Sequence, residues 1–436
     1  MVKDEPKMAL RTSLDALPMV MIRQRWEQPD ITDIEGAAHR ALSECGALAR
    51  IRAGQTIAIT AGSRGIETMP RVLHALVDAV KGCGAEPFIF PAMGSHGGGT
   101  AQGQREMLAG LGVSEATMGC PVRASMEVTS VGSSQRGMPV VVDSLALAAD
   151  GILVVNRIKK HTNFDGPVES GLCKMAVIGM GKHAQAVAVH QYGNEALRSD
   201  LQEIAGIVFR EAPVLAGVGL IENAWGGLAR VVGLPADHIV DAEPALFRES
   251  KEVGAKLPFH DIDVAIVERI GKDISGTGMD CYVIGRRRII GEPDWPEAPR
   301  ISSLIVLGLT EASHGNGLGV GLADFCTRRL ADAIDWQVTR ANVMTSGNLE
   351  RAKLPLVLDC DRSAIESAAF RERRRPPREL RVVCMPDTLH LRHLYVSSNL
   401  AHSRGLSSAW EIVSDEGRLC FDAKGSLRSP FMLDAK

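Results

Sequence analysis

Short runs of apolar and β-branched residues recur in the first part of the chain, and each is followed by small or polar residues. They predict buried strands at TIAITAGS (56–63), EPFIFPAMG (86–94), GILVVNRI (151–158) and VLAGVGLIE (214–222). Between the first two runs, apolar residues from Val72 to Val80 have helical spacing, and Gly82 and Gly84 mark the end of that helix. Because strands and helices alternate, we predict a parallel or mixed sheet with helices on both faces.

A second series of apolar runs begins near residue 261. It predicts strands at DVAIVERIG (263–271), ISSLIVLGL (301–309), PLVLDC (355–360) and RVVCMPD (381–387), while the small residues of 321–339 favour a helix. The predicted fold class is α/β, with two α/β domains at 1–260 and 261–400 and a ligand cleft between them. About 35 C-terminal residues follow, and their return to the first domain stays open.

Length and charge agree with a two-domain globular protein. At 436 residues the chain exceeds a typical single domain. Hydrophobic residues make up 45% and charged residues 23%, and the formal net charge is −3. This balance gives no reason to expect nucleic acid or an anionic membrane as a partner. The basic run RERRRPPRELR (371–381) is typical of an exposed linker.

The cysteines and the N-terminus predict a cytoplasmic protein. Nine cysteines are scattered without a CxxC pair, which argues against structural zinc and iron–sulfur sites and for reduced thiols. The first residues lack the basic and then apolar regions of a secretory signal. No apolar run reaches the ~20 residues that span a bilayer, since Asp143 and Asp150 interrupt the nearest candidate.

Three polar residues with useful chemistry follow predicted strands: Arg64, His96 and His161. In open α/β sheets ligands bind at the carboxyl ends of strands, so we expect these side chains to gather there. The planar guanidinium of arginine can bind both oxygens of a carboxylate. Histidine titrates near neutral pH, which suits proton transfer.

Lys174 lies between two histidines in the segment HTNFDGPVESGLCKMAVIGMGKHAQAVAVH, 13 residues after His161 and 16 before His190. A lysine amine can carry a covalent adduct, and neutral imidazole is the commonest metal ligand. The many small residues of the segment would let its backbone approach a bulky group. The pattern therefore predicts a tethered cofactor and a metal, with His183 competing with His190 as the ligand.

His96, His161, Lys174 and His190 resemble the signature of the nickel-pincer nucleotide-dependent lactate racemase family, and GSHGG resembles its Gly-Thr-His motif. The resemblance runs through most of the first domain and more weakly through the second. It implies a nickel-pincer nucleotide (pyridinium-3-thioamide-5-thiocarboxylic acid mononucleotide with Ni) joined covalently to Lys174. His190 would be the nickel ligand, His96 and His161 the catalytic bases, and Arg64 would bind the substrate carboxylate.

This resemblance implies an isomerase, specifically a racemase or epimerase of a 2-hydroxy acid. One histidine would take the hydroxyl proton while the cofactor takes a hydride, and the hydride would return to the opposite face of the 2-oxo acid. Residues 1–260 would carry the cofactor and the catalytic groups, and 261–400 would close over the substrate. Partner enzymes would build the cofactor from a nicotinate dinucleotide.

The chain departs from the family pattern in three places. The loop before Lys174 is longer, and Ala61 stands where the family has an aspartate. The segment GKDISGTGMDCYVIGR lacks a Tyr-Gln pair and a lysine that help bind lactate, and it has the small residues Thr277 and Gly278. We therefore predict a homologue that acts on a larger 2-hydroxy acid than lactate.

Other functions stay open at this point. An NAD-dependent oxidoreductase of a hydroxy acid would explain the alternating strands and helices, although no GxGxxG stands between a first strand and helix with an acidic residue ~20 positions later. A pyridoxal phosphate enzyme would use Lys174 as its Schiff-base lysine. A nickel or nucleotide carrier would bind cofactor without turnover. Glycine-rich segments at 275–280 and 313–325 favour either phosphate loops or tight turns, and His314 stays unassigned.

Overall fold

The computed structural model describes residues 17–26, 28–63, 68–403 and 409–431. The chain forms two compact units. Residues 28–254 make the central unit, so named for its place in the sequence, and residues 1–27 with 255–436 make the flanking unit. This division differs from the predicted boundary at 260, and it removes the N-terminal residues from the first unit. The reason is long-range strand pairing, which leaves no local signal in a sequence.

The described residues contain strands β1 to β15 and helices α1 to α15. The strands are, in order, Met19–Gln24, Thr56–Ala61, Glu86–Pro91, Val128–Ser133, Pro139–Asp143, Gly151–Arg157, Val214–Glu222, Leu228–Pro235, Asp261–Ile270, Arg300–Leu309, Phe325–Thr327, Leu356–Leu358, Val382–Met385, His393–Ser397 and Trp410–Ile412. The helices are Ile34–Glu44, Ala47–Arg50, Met69–Gly82, Ala101–Gly110, Glu115–Met118, Ser144–Leu147, Leu172–Lys174, Lys182–His190, Gly193–Ser199, Leu201–Glu211, Ile239–Val253, Arg328–Asp332, Trp336–Ser346, Asp361–Arg371 and Ser398–Ala401. None of the helices in this part of the chain has the length and apolar content needed to cross a lipid bilayer.

The sheet of the central unit has the strand order β3-β2-β6-β7-β8. Its first four strands are parallel, and β8 is antiparallel to β7, which confirms the predicted α/β class with a mixed sheet. Helices cover both faces. Ile57 and Ile59 of β2 pack with residues of α1 and α3, while Ala58 packs with residues of α7 to α11. Burial on both faces explains why these strands are continuous apolar runs.

The flanking unit contains an eight-stranded sheet with the order β12-β11-β10-β9-β13-β14-β1-β15. The strands from β12 to β13 are parallel, and the remaining three pair in antiparallel fashion. Because β15 pairs with β1 and Gly417 bridges Met19, the C-terminal residues pack in this unit and do not return to the central one.

The helix predicted over 321–339 is wrong in its first part. Phe325 and Cys326 belong to β11 and pair in parallel with β10, and two separate helices, α12 and α13, follow. A strand of three residues is too short to show the alternation that identifies a strand in a sequence.

In each sheet, the side on which the chain adds new strands changes once. In the central unit the chain places β3 on one side of β2 and later places β6 on the other side. In the flanking unit it places β10 on one side of β9 and later places β13 on the other. In the central unit the crossovers that leave β2 and β6 diverge, and such a topology favours a crevice beyond the carboxyl ends of the two strands. In the flanking unit β13 continues instead to the antiparallel strand β14. We call these places the central switch point (β2 and β6) and the flanking switch point (β9 and β13).

Candidate functional site

The segment that carries Lys174 lies at the central switch point. A Cβ atom on Gly62, the residue after β2, would lie 3.3 Å from Cε of Met175 and 3.9 Å from Oδ1 of Asn156 in β6. Met175 directly follows Lys174, so α7 ends over the carboxyl ends of β2 and β6. In the sequence, the resemblance gave Lys174 its role as a site residue. The fold places the segment that carries it at this edge of the sheet.

Two buried polar contacts fix the start of α7. The side-chain amide of Asn156 donates to the Gly171 carbonyl at 2.7 Å, and the Cys173 backbone N–H donates to Oε2 of Glu243 at 2.8 Å. Burial raises the pKa of Glu243, and the hydrogen bonds from Cys173 and Leu172 oppose that rise. Gly171 has no room for a side chain, since a Cβ there would lie 1.6 Å from Oε1 of Glu243. The backbone before Lys174 is therefore held on both sides.

A π-helical turn, Met175–Gly179, follows α7. Its wider spacing is seen in the hydrogen bond from Met180 N to Met175 O, which is 2.8 Å long. Such turns are rare and occur often at functional sites. Met175, Ala176 and Val177 are buried, whereas Lys174 keeps part of its surface exposed. A lysine in this position is accessible to a ligand while its neighbours anchor it in the core.

His190 ends α8, the helix after the π-helical turn. Its pKa is lowered, first because burial disfavours the charged imidazolium and second because the Lys174 ammonium repels it. The residue remains exposed at the helix end, so solvent partly screens both effects. The structure thus brings Lys174 and His190 within electrostatic reach and favours neutral imidazole, the form that binds metals.

The loop that carries His96 packs on the same helical segment. Gly94 donates its N–H to the Gly179 carbonyl at 3.4 Å, and a Cβ on Gly94 would lie 3.1 Å from Cγ2 of Ile178. The side-chain amide of Gln104 is buried and donates to the carbonyls of Gly94 at 2.9 Å and of His96 at 3.2 Å. His96 is exposed at the end of this braced loop, as expected for a residue that follows β3.

His183, the competing metal ligand, lies beside the His96 loop. A Cβ on Gly99 would be 3.7 Å from Cγ and Nδ1 of the His183 ring. His183 stands in the first turn of α8, whereas His190 stands in its last turn. The Lys174 ammonium lowers the pKa of His190, which favours His190 as the partner of the lysine.

His161 follows β6 and is oriented by its own loop. Its backbone N–H donates to the buried carboxylate of Glu169, and its ring centroid lies 4.7 Å from that of Phe164. Nδ1 accepts the Asn163 N–H at 3.2 Å, so the neutral ring carries its proton on Nε2. Arg64, the predicted carboxylate ligand, lies outside the described residues.

Two further predictions concern the flanking unit and metal binding. Thr277 and Gly278 are buried, and a Cβ on Gly278 would lie 2.7 Å from the Leu318 carbonyl oxygen. Packing of that turn therefore accounts for the small size of Gly278.

In the part of the chain that the structure describes, no group of three or more His, Cys, Asp or Glu side chains is placed to hold a metal ion.

Sequence reasoning missed a buried ion pair beneath the site. Lys182 and Asp143 are fully buried, and Nζ lies 2.8 Å from Oδ2. Lys182 also donates to the Pro91 carbonyl at the end of β3, and Oδ1 of Asp143 caps α6. The pKa of Lys182 is lowered by burial, and the Asp143 carboxylate opposes this. The ion pair joins the end of β5 to the first residue of the helix that ends at His190, and the hydrogen bond to Pro91 joins the same lysine to the strand before the His96 loop.

Lys182 adopts a backbone φ of 56°, which is rare for a residue with a side chain. Such a conformation costs on the order of 1–3 kcal/mol and persists only when the surroundings fix it. The available sequence signal for this ion pair was a lysine directly after a glycine in an otherwise apolar stretch. Asp143 was read only as an interruption of an apolar run.

Comparison with known proteins yields similar solved structures but no sequence family. No protein-family model and no curated protein matches the chain. A crystal structure of a protein from Thermotoga maritima is similar, with 13% sequence identity and a TM-score of 0.45 over 65% of this chain and 72% of that one. The lactate racemase apoprotein from Thermoanaerobacterium thermosaccharolyticum is also similar, with 15% identity and a TM-score of 0.46 over 85% of this chain and 98% of that one. Neither similarity is strong enough to carry an argument about function.

Replacement of Lys182 tests whether the buried ion pair holds the site. Lys182→Met leaves the Asp143 carboxylate buried without its cation, so we expect the free energy of unfolding to fall by about 3–5 kcal/mol in chemical denaturation. Lys81→Met removes an exposed lysine that donates one surface hydrogen bond to the Gly119 carbonyl, and it should change the free energy of unfolding by no more than about 1 kcal/mol. Lys182→Met combined with Asp143→Leu should recover much of the loss. Equal stability of Lys182→Met and Lys81→Met would contradict this role.

The lowered pKa of His190 gives a second prediction. Removing the ammonium in Lys174→Met should raise the pKa of His190 towards that of a free histidine, as measured by NMR titration of the ring. Because the folded pKa is depressed, His190 costs stability as the pH falls below its unfolded value of about 6.5. Lys81→Met is the control and should leave the His190 titration unchanged. An unaltered pKa in Lys174→Met would show that the two residues do not interact.

Proposed function

We propose that this protein is an isomerase, a racemase or epimerase of a 2-hydroxy acid, that works with a cofactor bound covalently to Lys174. One observation carries the proposal. The backbone before Lys174 is held by Asn156 and Glu243 at the central switch point, and the lysine charge acts on His190. A partly exposed lysine for attachment and an imidazole with a lowered pKa for a metal are thus combined at the edge where ligands bind.

The residues present fit a nickel-pincer nucleotide. Lys174 offers an amine nitrogen for the covalent link, and His190 offers one imidazole nitrogen for the nickel, whose other donors belong to the cofactor itself. Burial and then the Lys174 ammonium lower the pKa of His190, which favours the unprotonated form that coordination needs. When bound, this group would supply the acceptor for a hydride from the carbon that bears the hydroxyl. The resemblance of these residues to the lactate racemase family supports the assignment.

His96 and His161 are the proposed proton-transfer groups. The Asn163 N–H on Nδ1 leaves the proton of His161 on Nε2, so His161 starts as the donor to a substrate oxygen. His96, on the loop braced by Gln104, is then the complementary acceptor. Two histidines are needed because the two enantiomers present their hydroxyl groups differently, and the roles exchange when the reaction runs in reverse.

The substrate carboxylate is assigned to Arg64. Gly62 and Ser63, the two residues before it in the sequence, lie at the carboxyl end of β2, and Gly62 lies against the segment that bears Lys174. An arginine there would bind both carboxylate oxygens and set the reacting carbon against the cofactor. The substrate class is therefore a 2-hydroxy acid.

The tether and the metal are tested by intact-protein mass and nickel content after co-expression with enzymes that build the cofactor. We expect an added mass and near-stoichiometric nickel in the wild type, and neither in Lys174→Ala. His190→Ala should keep the added mass but lose nickel, because only the metal ligand is removed. Lys81→Ala, which alters an exposed lysine elsewhere in the unit, should match the wild type.

Either of two results would overturn this assignment. An adduct of the same mass on Lys174→Ala would place the tether elsewhere. Absence of adduct and nickel from the wild type, together with stoichiometric reduction of added NAD by a hydroxy acid, would favour the oxidoreductase.

The proton-transfer roles are tested by chiral analysis of product formed in D₂O. A hydride that returns to the same carbon leaves the product without deuterium at that carbon. His96→Gln and His161→Gln should each lower kcat by roughly 10²–10⁴-fold in both directions while the adduct and nickel remain. His39→Gln, an exposed histidine of α1, is the control and should retain activity. Complete deuterium incorporation would indicate carbanion chemistry and rule out the hydride route.

A further inference from the structure

The strand β12, Leu356–Leu358, forms one edge of the eight-stranded sheet of the flanking unit. Among the described residues, no strand pairs with the outer side of β12. Such an edge presents backbone N–H and C=O groups that can pair with a further strand, and globular proteins usually shield it with charged residues. An edge that carries apolar residues instead therefore needs a physical explanation.

The backbone of Val357 is the part of β12 that is available for pairing. The Leu356 N–H donates to the Asp324 carbonyl at 3.1 Å, which directs it towards β11. Because backbone groups alternate in direction along a strand, the N–H and C=O of Val357 point away from β11. Pro355, two residues earlier, has no N–H to offer on that side. The outward donor and acceptor of the strand are thus centred on Val357.

Large apolar side chains beside this edge are exposed. They lie in the last turn of α13, in the 3₁₀ turn Leu349–Ala352 that packs against α13, and in the residues that lead into β12. They are between 45% and 68% exposed: Met344, Leu349, Leu354 and Leu356. Single exposed apolar residues are normal, but their succession along one sheet edge favours a surface that another protein covers.

The edge is complementary to itself under a two-fold rotation. Antiparallel pairing of β12 with the same strand of a second copy places Val357 opposite Val357, so each N–H donates to the carbonyl of the other copy. In the same register, Leu356 lies opposite Leu358 of the second copy. Each copy thus supplies what the other copy needs, in backbone groups and in apolar side chains.

Charges at the two ends of the strand favour the antiparallel arrangement. The Lys353 side chain, before β12, is 66% exposed, and Asp359, after β12, is also exposed. An antiparallel pair brings the basic end of one strand beside the acidic end of the other, whereas a parallel pair would bring like charges together. Lys353 also pairs with Glu350 of its own copy, but an exposed ion pair of this kind contributes little.

The size of the surface and the character of the opposite edge point the same way. A stable interface buries about 800 Å² on each partner, so a short strand is not enough and the exposed residues of α13 and of the 3₁₀ turn must take part. The opposite edge of the sheet, β15, carries Glu411, which pairs with Arg23 and Arg25. That edge is shielded by charge in the usual way, and β12 is not.

We propose that β12 and the exposed apolar residues beside it form the interface of a homodimer, in which two copies pair their β12 strands antiparallel across a two-fold axis. The sheet of one copy then continues into the sheet of the other. All the interface residues belong to the flanking unit, whereas Lys174 belongs to the central unit. The inference therefore does not rest on the proposed function.

Sedimentation velocity of the full-length protein over a concentration series tests the interface. We expect a dimer for the wild type and a monomer for Val357→Pro at the same concentration, because proline removes the outward N–H and is tolerated on an edge strand. An unchanged circular dichroism spectrum would show that the variant is folded. Leu356→Lys should raise the dissociation constant at least tenfold, since it buries a charge in the contact. Ile412→Lys, which alters a 40% exposed residue of β15, is the matched control and should dimerise like the wild type.

A charge exchange tests the antiparallel arrangement. Lys353→Asp and Asp359→Lys should each raise the dissociation constant roughly two- to tenfold, because each places like charges beside one another across the axis. The double variant should recover the value of the wild type. The two residues stand roughly 20 Å apart in an extended chain, so a role within one copy would not produce this recovery.

A wild type that stays monomeric throughout the concentration series would overturn the proposal. So would dimers of Val357→Pro and Leu356→Lys as stable as the wild type, or dissociation of Ile412→Lys alone, which would place the contact at β15. Lack of recovery in the double charge variant would contradict the antiparallel register. Lys174→Ala should keep the dissociation constant of the wild type, so failure of the proposed isomerase activity would leave the dimer standing.

Discussion

The order in which each sheet adds its strands is the constraint on which the candidate sites depend. Parallel strands need crossovers, and two crossovers that go to opposite sides leave a crevice where their loops part. In the central unit this happens between β2 and β6, and the segment that bears Lys174 lies at that point. In the flanking unit the strand order also reverses, between β9 and β13, but β13 continues to β14 by an antiparallel hairpin and not by a crossover.

Buried polar groups with close partners hold the central site. Glu243 fixes the start of α7. The ion pair with Asp143 holds Lys182 at the start of the helix that ends at His190, and Lys182 also donates to the strand before His96. Buried charges cost several kcal/mol each to desolvate, so they persist only with close partners. Their value here is geometric, because three separated pieces of chain must keep their relative positions. Rigid supports of this kind are what a site for proton transfer requires, since small displacements cost rate.

The strands and helices of the central unit follow from local pattern. Strands buried on both faces must be apolar along their length, which is why TIAITAGS and GILVVNRI identify β2 and β6. Residues that follow such strands lie at the carboxyl edge, so the positions of His96 and His161 were predictable from sequence. The pairing of β1 with β14 and β15 was not, because it joins opposite ends of the chain.

The sequence by itself determined the α/β class, most buried strands and the residue types that can do the chemistry, since these depend on neighbours a few positions apart. Tertiary structure alone decided the pairing of Lys182 with Asp143, the π-helical turn after Lys174, and the approach of Arg269 to Asp387 and His390. The two ionic contacts join residues that are far apart in the chain and whose separation carries no period. They form because the fold buries charged groups, and only a partner can offset the free energy that a charged group loses when it leaves water.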